Sequence, residues 1–193
     1  MNVGILVFND IELLDFAGPY EVFSVAADFC REISVFTITQ DGQTVCSVNG
    51  LKVIPDYHFE NHPPIDILVI PGGNGTKVEM EKKPVLEWIR KNYEPSKITM
   101  SVCSGTRLLG KLGLLDNLEY TTHHEVEPNM REIAPRAIFN EAARFVDNGK
   151  IMTSGGISAG IDLSLHVVKK VFGEDIARKT KTYMEYGDWK NSI

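Results

Sequence analysis

Short apolar runs, most of them rich in β-branched residues, recur along the chain and alternate with longer stretches whose apolar positions fall at helical spacing. The runs cover residues 3–8, 33–39, 66–70, 98–102 and 151–153. The helical stretches cover residues 18–28, 78–93, 105–113, 126–133, 159–172 and 174–186. Strands separated by helices read as a mostly parallel sheet with helices on both faces, because a parallel pair needs a crossover connection. End signals support several helices: Pro19 suits a first helical turn, Gly113 and Gly173 suit C-terminal stops, and Glu174 or Asp175 places negative charge at a helix N-terminus. Between residues 44–48 and 51–54 stands Asn49-Gly50, which predicts a tight primed turn and hence a small antiparallel hairpin flap. The pattern therefore predicts an α/β fold. With no linker, repeat or low-complexity tract, residues 1–193 read as a single domain.

The chain has 193 residues, 43% hydrophobic and 24% charged, which is globular composition and enough for one substantial core. A formal net charge of −6 and a pI near 5.4 argue against nucleic acid or an anionic membrane as partner, since both call for a basic surface. A small molecule is the expected partner. The start, Met1-Asn2-Val3-Gly4, lacks a basic leader, the first apolar run stops at Phe8, and no later run approaches ~18 apolar residues, so a cytoplasmic protein is expected. Cys30, Cys46 and Cys103 are odd in number and widely spaced, which predicts reduced thiols rather than disulfides or a cysteine-rich zinc site.

In an open α/β sheet, chemistry collects beyond the carboxyl ends of the strands. Three segments are expected there. The run 98–102 passes into a helix through Cys103-Ser104-Gly105-Thr106, which makes Cys103 an elbow residue with the Ser104 N–H beside it. The dipole of the following helix favours a thiolate, and a fall in pKa from ~8.5 to ~5.5 would ionise nearly all of the thiol at neutral pH. Cys30 and Cys46 lack such a setting and read as inert. The second segment, Pro71-Gly72-Gly73, ends another buried strand, and its N–H groups with that of Ser104 are expected to form an oxyanion hole. The third holds Asp15 between Leu14 and Phe16, an apolar setting that raises a carboxyl pKa and keeps a proton for sulfur or substrate. Asp15 fits equally well as a helix N-cap. Thr106, Arg107 and Tyr20 are neighbours by spacing alone. His123 and His124, if on a strand, point to opposite faces and cannot share a metal; His58, His62 and His166 read as solvated or core residues. No metal or cofactor is expected.

Taken in order, residues 13–23 (LLDFAGPYEVF), 69–73 (VIPGG), 102–105 (VCSG), 120–123 (YTTH) and 154–163 (SGGISAGIDL) resemble the ThiJ/PfpI superfamily, a glutamine amidotransferase-like group. The resemblance implies a flavodoxin-like three-layer sandwich, a nucleophile at Cys103, an acidic partner at Asp15 and a homodimer with the site near the subunit boundary. The aspartate form of the early loop is most similar to the isonitrile hydratase branch and to related sensor domains. Protease-like members carry His directly after the nucleophile; Ser104 stands here, which disfavours peptidase activity. His123 falls at the superfamily's Thr-Thr-His position, with a chemical or a structural role open. The transcription activators of the group have a helix-turn-helix extension, and this chain ends soon after its last helix, so direct DNA binding is not expected. The leading expectation is a hydro-lyase of the isonitrile hydratase type. The alternatives are a glyoxalase or deglycase acting on reactive carbonyls, and a redox or metabolite sensor working through Cys103.

Overall fold

A computed structural model describes residues 1–192. The chain begins with β1 (Asn2–Leu6), α1 (Leu13–Cys30) and β2 (Ser34–Thr39), then forms β3 (Val45–Cys46), β4 (Lys52–Val53) and β5 (Tyr57–His58). Next come β6 (Ile67–Ile70), the single turn α2 (Thr76–Glu79), α3 (Lys83–Tyr93) and β7 (Ile98–Val102). A short 3₁₀ turn, Cys103–Gly105, leads into α4 (Thr106–Lys111), followed by β8 (Glu119–Tyr120), α5 (Glu127–Ile133), β9 (Ile138–Phe139) and β10 (Phe145–Asp147). The order ends with β11 (Ile151–Ser154), α6 (Ala159–Phe172), α7 (Glu174–Tyr183) and a 3₁₀ turn, Trp189–Ser192.

Seven strands form one sheet in the order β10-β11-β7-β6-β1-β2-β5, and every pair is parallel except β10 with β11. Strands β6, β7 and β11 are buried at every position, which is why their sequences do not alternate apolar with polar. The chain builds outward from β1 to β2 and β5, then returns to the other side of β1 for β6. Right-handed crossovers in opposite directions put helices on opposite faces. Helices α1, α6 and α7 pack on one another as one layer, while α3 buries Val85, Trp88 and Ile89 from the other. The result is the flavodoxin-like sandwich expected. The reversal between β1 and β6 opens a crevice at the strands' carboxyl ends. Among the described residues, no helix is long and apolar enough to cross a membrane.

Several boundaries differ from the sequence reading. Helix α1 starts at Leu13, not residue 18, so Pro19 lies inside it; the cost is limited to the missing N–H that would have met the Asp15 carbonyl and to the ring's crowding there. The stretch 78–93 divides into α2 and α3: Lys82 is extended, and Pro84, which has no N–H to continue a helix from α2, stands in the first turn of α3. Helix α7 stops at Tyr183, where Glu185 and Gly187 take positive φ. The hairpin exists, but its loop is Val48-Asn49-Gly50: Ser47 N–H donates to the Leu51 carbonyl, and Gly50 has positive φ while Asn49 does not. That is a three-residue loop rather than a primed two-residue turn. Cys46 N–H donates to Asn9 Oδ1 and Val48 N–H to the Ile11 carbonyl, which ties the hairpin over the loop between β1 and α1.

Candidate active site

Strand β7 ends at Val102, and the chain turns sharply at Cys103, whose φ is +56°. A non-glycine residue in this region stores about 1–3 kcal/mol and persists only where its surroundings hold it. Here Thr106 Oγ1 and Thr122 Oγ1 both donate to the Cys103 carbonyl, at 2.9 and 2.7 Å. Gly105 lets the turn press on the end of β6: a Cβ there would lie 2.1 Å from the Ile70 carbonyl oxygen. The side chain of Cys103 is 8% exposed, and its sulfur meets the backbone N–H groups of Ser104 and Ile157 and the carboxyl of Asp15.

Asp15 is fully buried in the first turn of α1, so it is not the helix cap; Glu12 occupies that position. Its Oδ2 accepts the Gly72 N–H at 3.0 Å and its Oδ1 accepts the Ile157 N–H at 3.1 Å. Gly72 is required for this approach, since a Cβ would lie 2.6 Å from Ser104 N and 2.7 Å from Asp15 Oδ2. Gly73 N–H donates to Ser104 Oγ at 2.9 Å. The N–H groups of Gly72 and Gly73 are thus already engaged; that of Ser104 faces sulfur, and that of Ile157, which donates to Asp15, lies beside it. Ile157 is a β-branched residue at φ +54°, a genuine backbone outlier, and that conformation aims its N–H into the site.

Above Cys103 lies a cavity of about 290 Å³, whose lining includes Gly73, Ser104, Arg107, His123, Ile157 and, from the hairpin, Val48. Arg107 sits one helical turn after Cys103. Thr106 is turned inward to the Cys103 carbonyl, whereas Tyr20 is partly exposed on α1 and does not line this cavity.

The sequence profile described as the DJ-1/PfpI family matches residues 1–170. The chain belongs to the DJ-1/PfpI family. It is 33% identical over 189 residues to the isonitrile hydratase of Pseudomonas putida, a match covering 96% of this chain and 78% of that protein. It is 26% identical to the HTH-type transcriptional regulator GbdR of Pseudomonas aeruginosa over 91% of this chain but 48% of that protein, so the chain spans about half the length of such regulators. Among solved structures, a ThiJ/PfpI family protein from Pseudomonas syringae superposes with a TM-score of 0.88 at 26% identity, covering 96% of this chain and 74% of that one. DJ-1beta of Drosophila melanogaster superposes with a TM-score of 0.83 at 16% identity, covering 96% and 98%, a likeness of fold.

In this DJ-1/PfpI site the electrostatics differ from the sequence expectation. Burial pushes the Asp15 carboxyl up to about 7, despite the opposing hydrogen bonds from Gly72, Cys103 and Ile157. Burial also pushes the Cys103 thiol up to about 12, with the neighbouring Asp15 charge adding to the rise. The expected low thiol pKa is therefore reversed: α4 has 6 residues and a correspondingly small dipole, while desolvation and a like charge act directly on sulfur. Asp15 is thus the group that loses its proton near neutral pH, and its charge then favours the protonated thiol. Once the first proton is lost, a single negative charge is shared as thiol with carboxylate or thiolate with carboxylic acid.

His123 and His124 lie beyond β8, outside any strand, and their rings lie side by side, with centroids 4.3 Å apart and planes tilted by 31°, instead of pointing to opposite faces. The ring of His123 packs against Gly156, where a Cβ would come within 2.3 Å of it. Among the described residues, no group of three or more His, Cys, Asp or Glu is placed to hold a metal ion. Ile157 is the residue that sequence reasoning missed. Its signal was the pair Gly155-Gly156 at the end of β11, the same strand-then-glycine pattern that located Gly72 and Gly73.

Proposed function

We propose that this DJ-1/PfpI protein is a cofactor-independent hydro-lyase that adds water to an isonitrile, or to a comparably small electrophilic carbon, in the cytoplasm. The observation that carries the reading is the buried Cys103–Asp15 pair, set in a strained elbow with the backbone N–H groups of Ser104 and Ile157 beside the sulfur. Kinship with an isonitrile hydratase at 33% identity supports the same choice. In the first step the thiol proton passes to Asp15 and the sulfur attacks the terminal carbon of R–NC. Asp15 then delivers the proton to that carbon, which gives the thioimidate R–N=CH–S–Cys103. Water adds across its C=N bond, and collapse of the adduct expels the Cys103 sulfur and releases R–NH–CHO. The N–H groups of Ser104 and Ile157 stabilise charge on sulfur at entry and at departure, while Gly72 and Gly73 hold Asp15 and Ser104 in place.

A second reading, a sensor domain that binds a metabolite or oxidises without turnover, is favoured by the 26% identity to GbdR. Burial of the thiol weighs against oxidation, which needs an exposed thiolate. Incubation with a small alkyl isonitrile should yield formamide by mass spectrometry at many turnovers per site, and the Cys103→Ala protein should yield none. Methylglyoxal serves as comparison. Lactate instead of formamide would favour the glyoxalase alternative, and turnover of neither would move the sensor reading ahead.

The flap has a bearing on assembly. Leu51 and Ile54 of the hairpin are 50% and 80% exposed, while Val48 lines the cavity from the same element. These apolar side chains support a homodimer whose second copy covers the flap beside the site.

A further inference from the structure

We propose that Arg107 binds an anionic group of the substrate, a carboxylate in the first instance, so that the molecule attacked by Cys103 carries a negative charge next to its electrophilic carbon. The inference rests on Cys103 being the nucleophile and names the substrate class of that same site. Arg107 is the one Lys or Arg among the described residues that is buried, at 6% exposure. A guanidinium withdrawn from water is costly unless an opposite charge compensates it. Yet its Nε donates to Asn129 Oδ1 at 2.8 Å and its Nη1 to Thr76 Oγ1 at 3.0 Å, both neutral acceptors. None of the ion pairs among the described residues includes it.

Its placement points to a ligand as the missing partner. Arg107 follows Cys103 by four residues, and the two side chains line the same cavity. The Thr76 hydroxyl that receives Nη1 donates to the Gly73 carbonyl at 2.8 Å and lies 3.2 Å from Ser104 Oγ, which locks the guanidinium to the loops that carry the nucleophile. No described residue accepts from Nη2, which leaves donors for a forked contact with a carboxylate. Glu12, Lys77 and Glu125 also line this cavity. Lys77 and Glu125 are exposed and Glu12 is half-buried, so water screens them far more than it screens Arg107. The rival account makes Arg107 only a counter-charge for the Cys103–Asp15 pair. A cavity of about 290 Å³ suits a small carboxylate such as an isocyano acid.

Iodoacetate and iodoacetamide are near-isosteric alkylating reagents that differ in charge, and neither requires turnover. The rate ratio of iodoacetate to iodoacetamide at Cys103 should exceed that at glutathione by about tenfold, the size of one charge-assisted hydrogen bond. Arg107→Met should abolish that excess, and Arg107→Lys should retain part of it. In the unaltered protein, propionate should slow iodoacetamide labelling saturably and propionamide should not, which keeps the test independent of how the variants fold. A ratio equal to that of glutathione, or an Arg107→Met protein that keeps the excess while its iodoacetamide pH midpoint moves, overturns the proposal. Failure of both reagents to label Cys103 overturns the nucleophile reading as well. Failure of isonitrile turnover alone leaves the anion site standing.

Discussion

Cys103 and Asp15 occupy a site from which water is largely withdrawn; the thiol's hydrogen bond favours the Asp15 carboxylate, and the Asp15 charge makes ionisation of Cys103 harder. The sign of the pH dependence follows. Below the first proton loss both groups are neutral and no thiolate exists. As pH rises through about 7 the pair becomes a monoanion, a fixed fraction of which is thiolate, so Cys103 alkylation by iodoacetamide should rise there and then level off until the thiol's own ionisation near about 12. Asp15→Asn removes the charge and the hydrogen bond that raise the thiol, so the Cys103 pKa should fall below about 12. Its alkylation should therefore keep rising above pH 7, where that of the unaltered protein levels off. Identical profiles for the two proteins would show that the groups do not titrate together. Cys103 was legible in the sequence because small residues joined a buried strand to a helix. Asp15 stayed open between cap and acid, since the choice depends on where α1 begins, and apolar Leu13 and Leu14 carry that start forward of Pro19. Ile157 was missed despite the Gly155-Gly156 pair before it, because β-branched residues seldom take left-handed backbone.

At the scale of elements, the three loops that build the site are joined by close backbone contacts more than by side chains. Gly105 has ordinary helical φ, so its requirement is one of space alone, with the Ile70 carbonyl 2.1 Å from a would-be Cβ. Gly149 is the opposite case: φ is +87° and nothing lies within 4 Å of a Cβ. Gly105→Ala should lower stability by about 3 kcal/mol and slow Cys103 labelling, while Gly149→Ala should cost about 1 kcal/mol and leave labelling as it was. Thermal melts with parallel alkylation check both, and equal effects would contradict the close-approach account. Element positions were legible where local chemistry agreed with packing. Residues 159–172 form α6 as read, because an apolar face ends at the Gly173 stop. Residues 78–93 were read as one helix because apolar spacing runs through Pro84, whose missing N–H suits a first helical turn, and the chain is extended at Lys82 just before it.

Across the whole molecule, the reversal of strand order between β1 and β6 brings the loops after β1, β6 and β7 to one edge, where Asp15, Gly72, Gly73 and Cys103 meet. Strand order itself was not legible, since it depends on which crossovers turn left or right of β1, but the α/β class and the carboxyl-edge site were. The flap adds an apolar face beside this edge. Light scattering should report twice the 21.6 kDa chain mass, and Ile54→Glu should return the single-chain mass; a native monomer would contradict the covered flap. The central claim is that Cys103 carries the substrate carbon during hydration. Its most direct test is the intact mass of the protein, quenched during turnover of an alkyl isonitrile. A species heavier by the full mass of the isonitrile, with the increment on Cys103, is the predicted result. Formamide accumulating while every protein molecule keeps its native mass would contradict it.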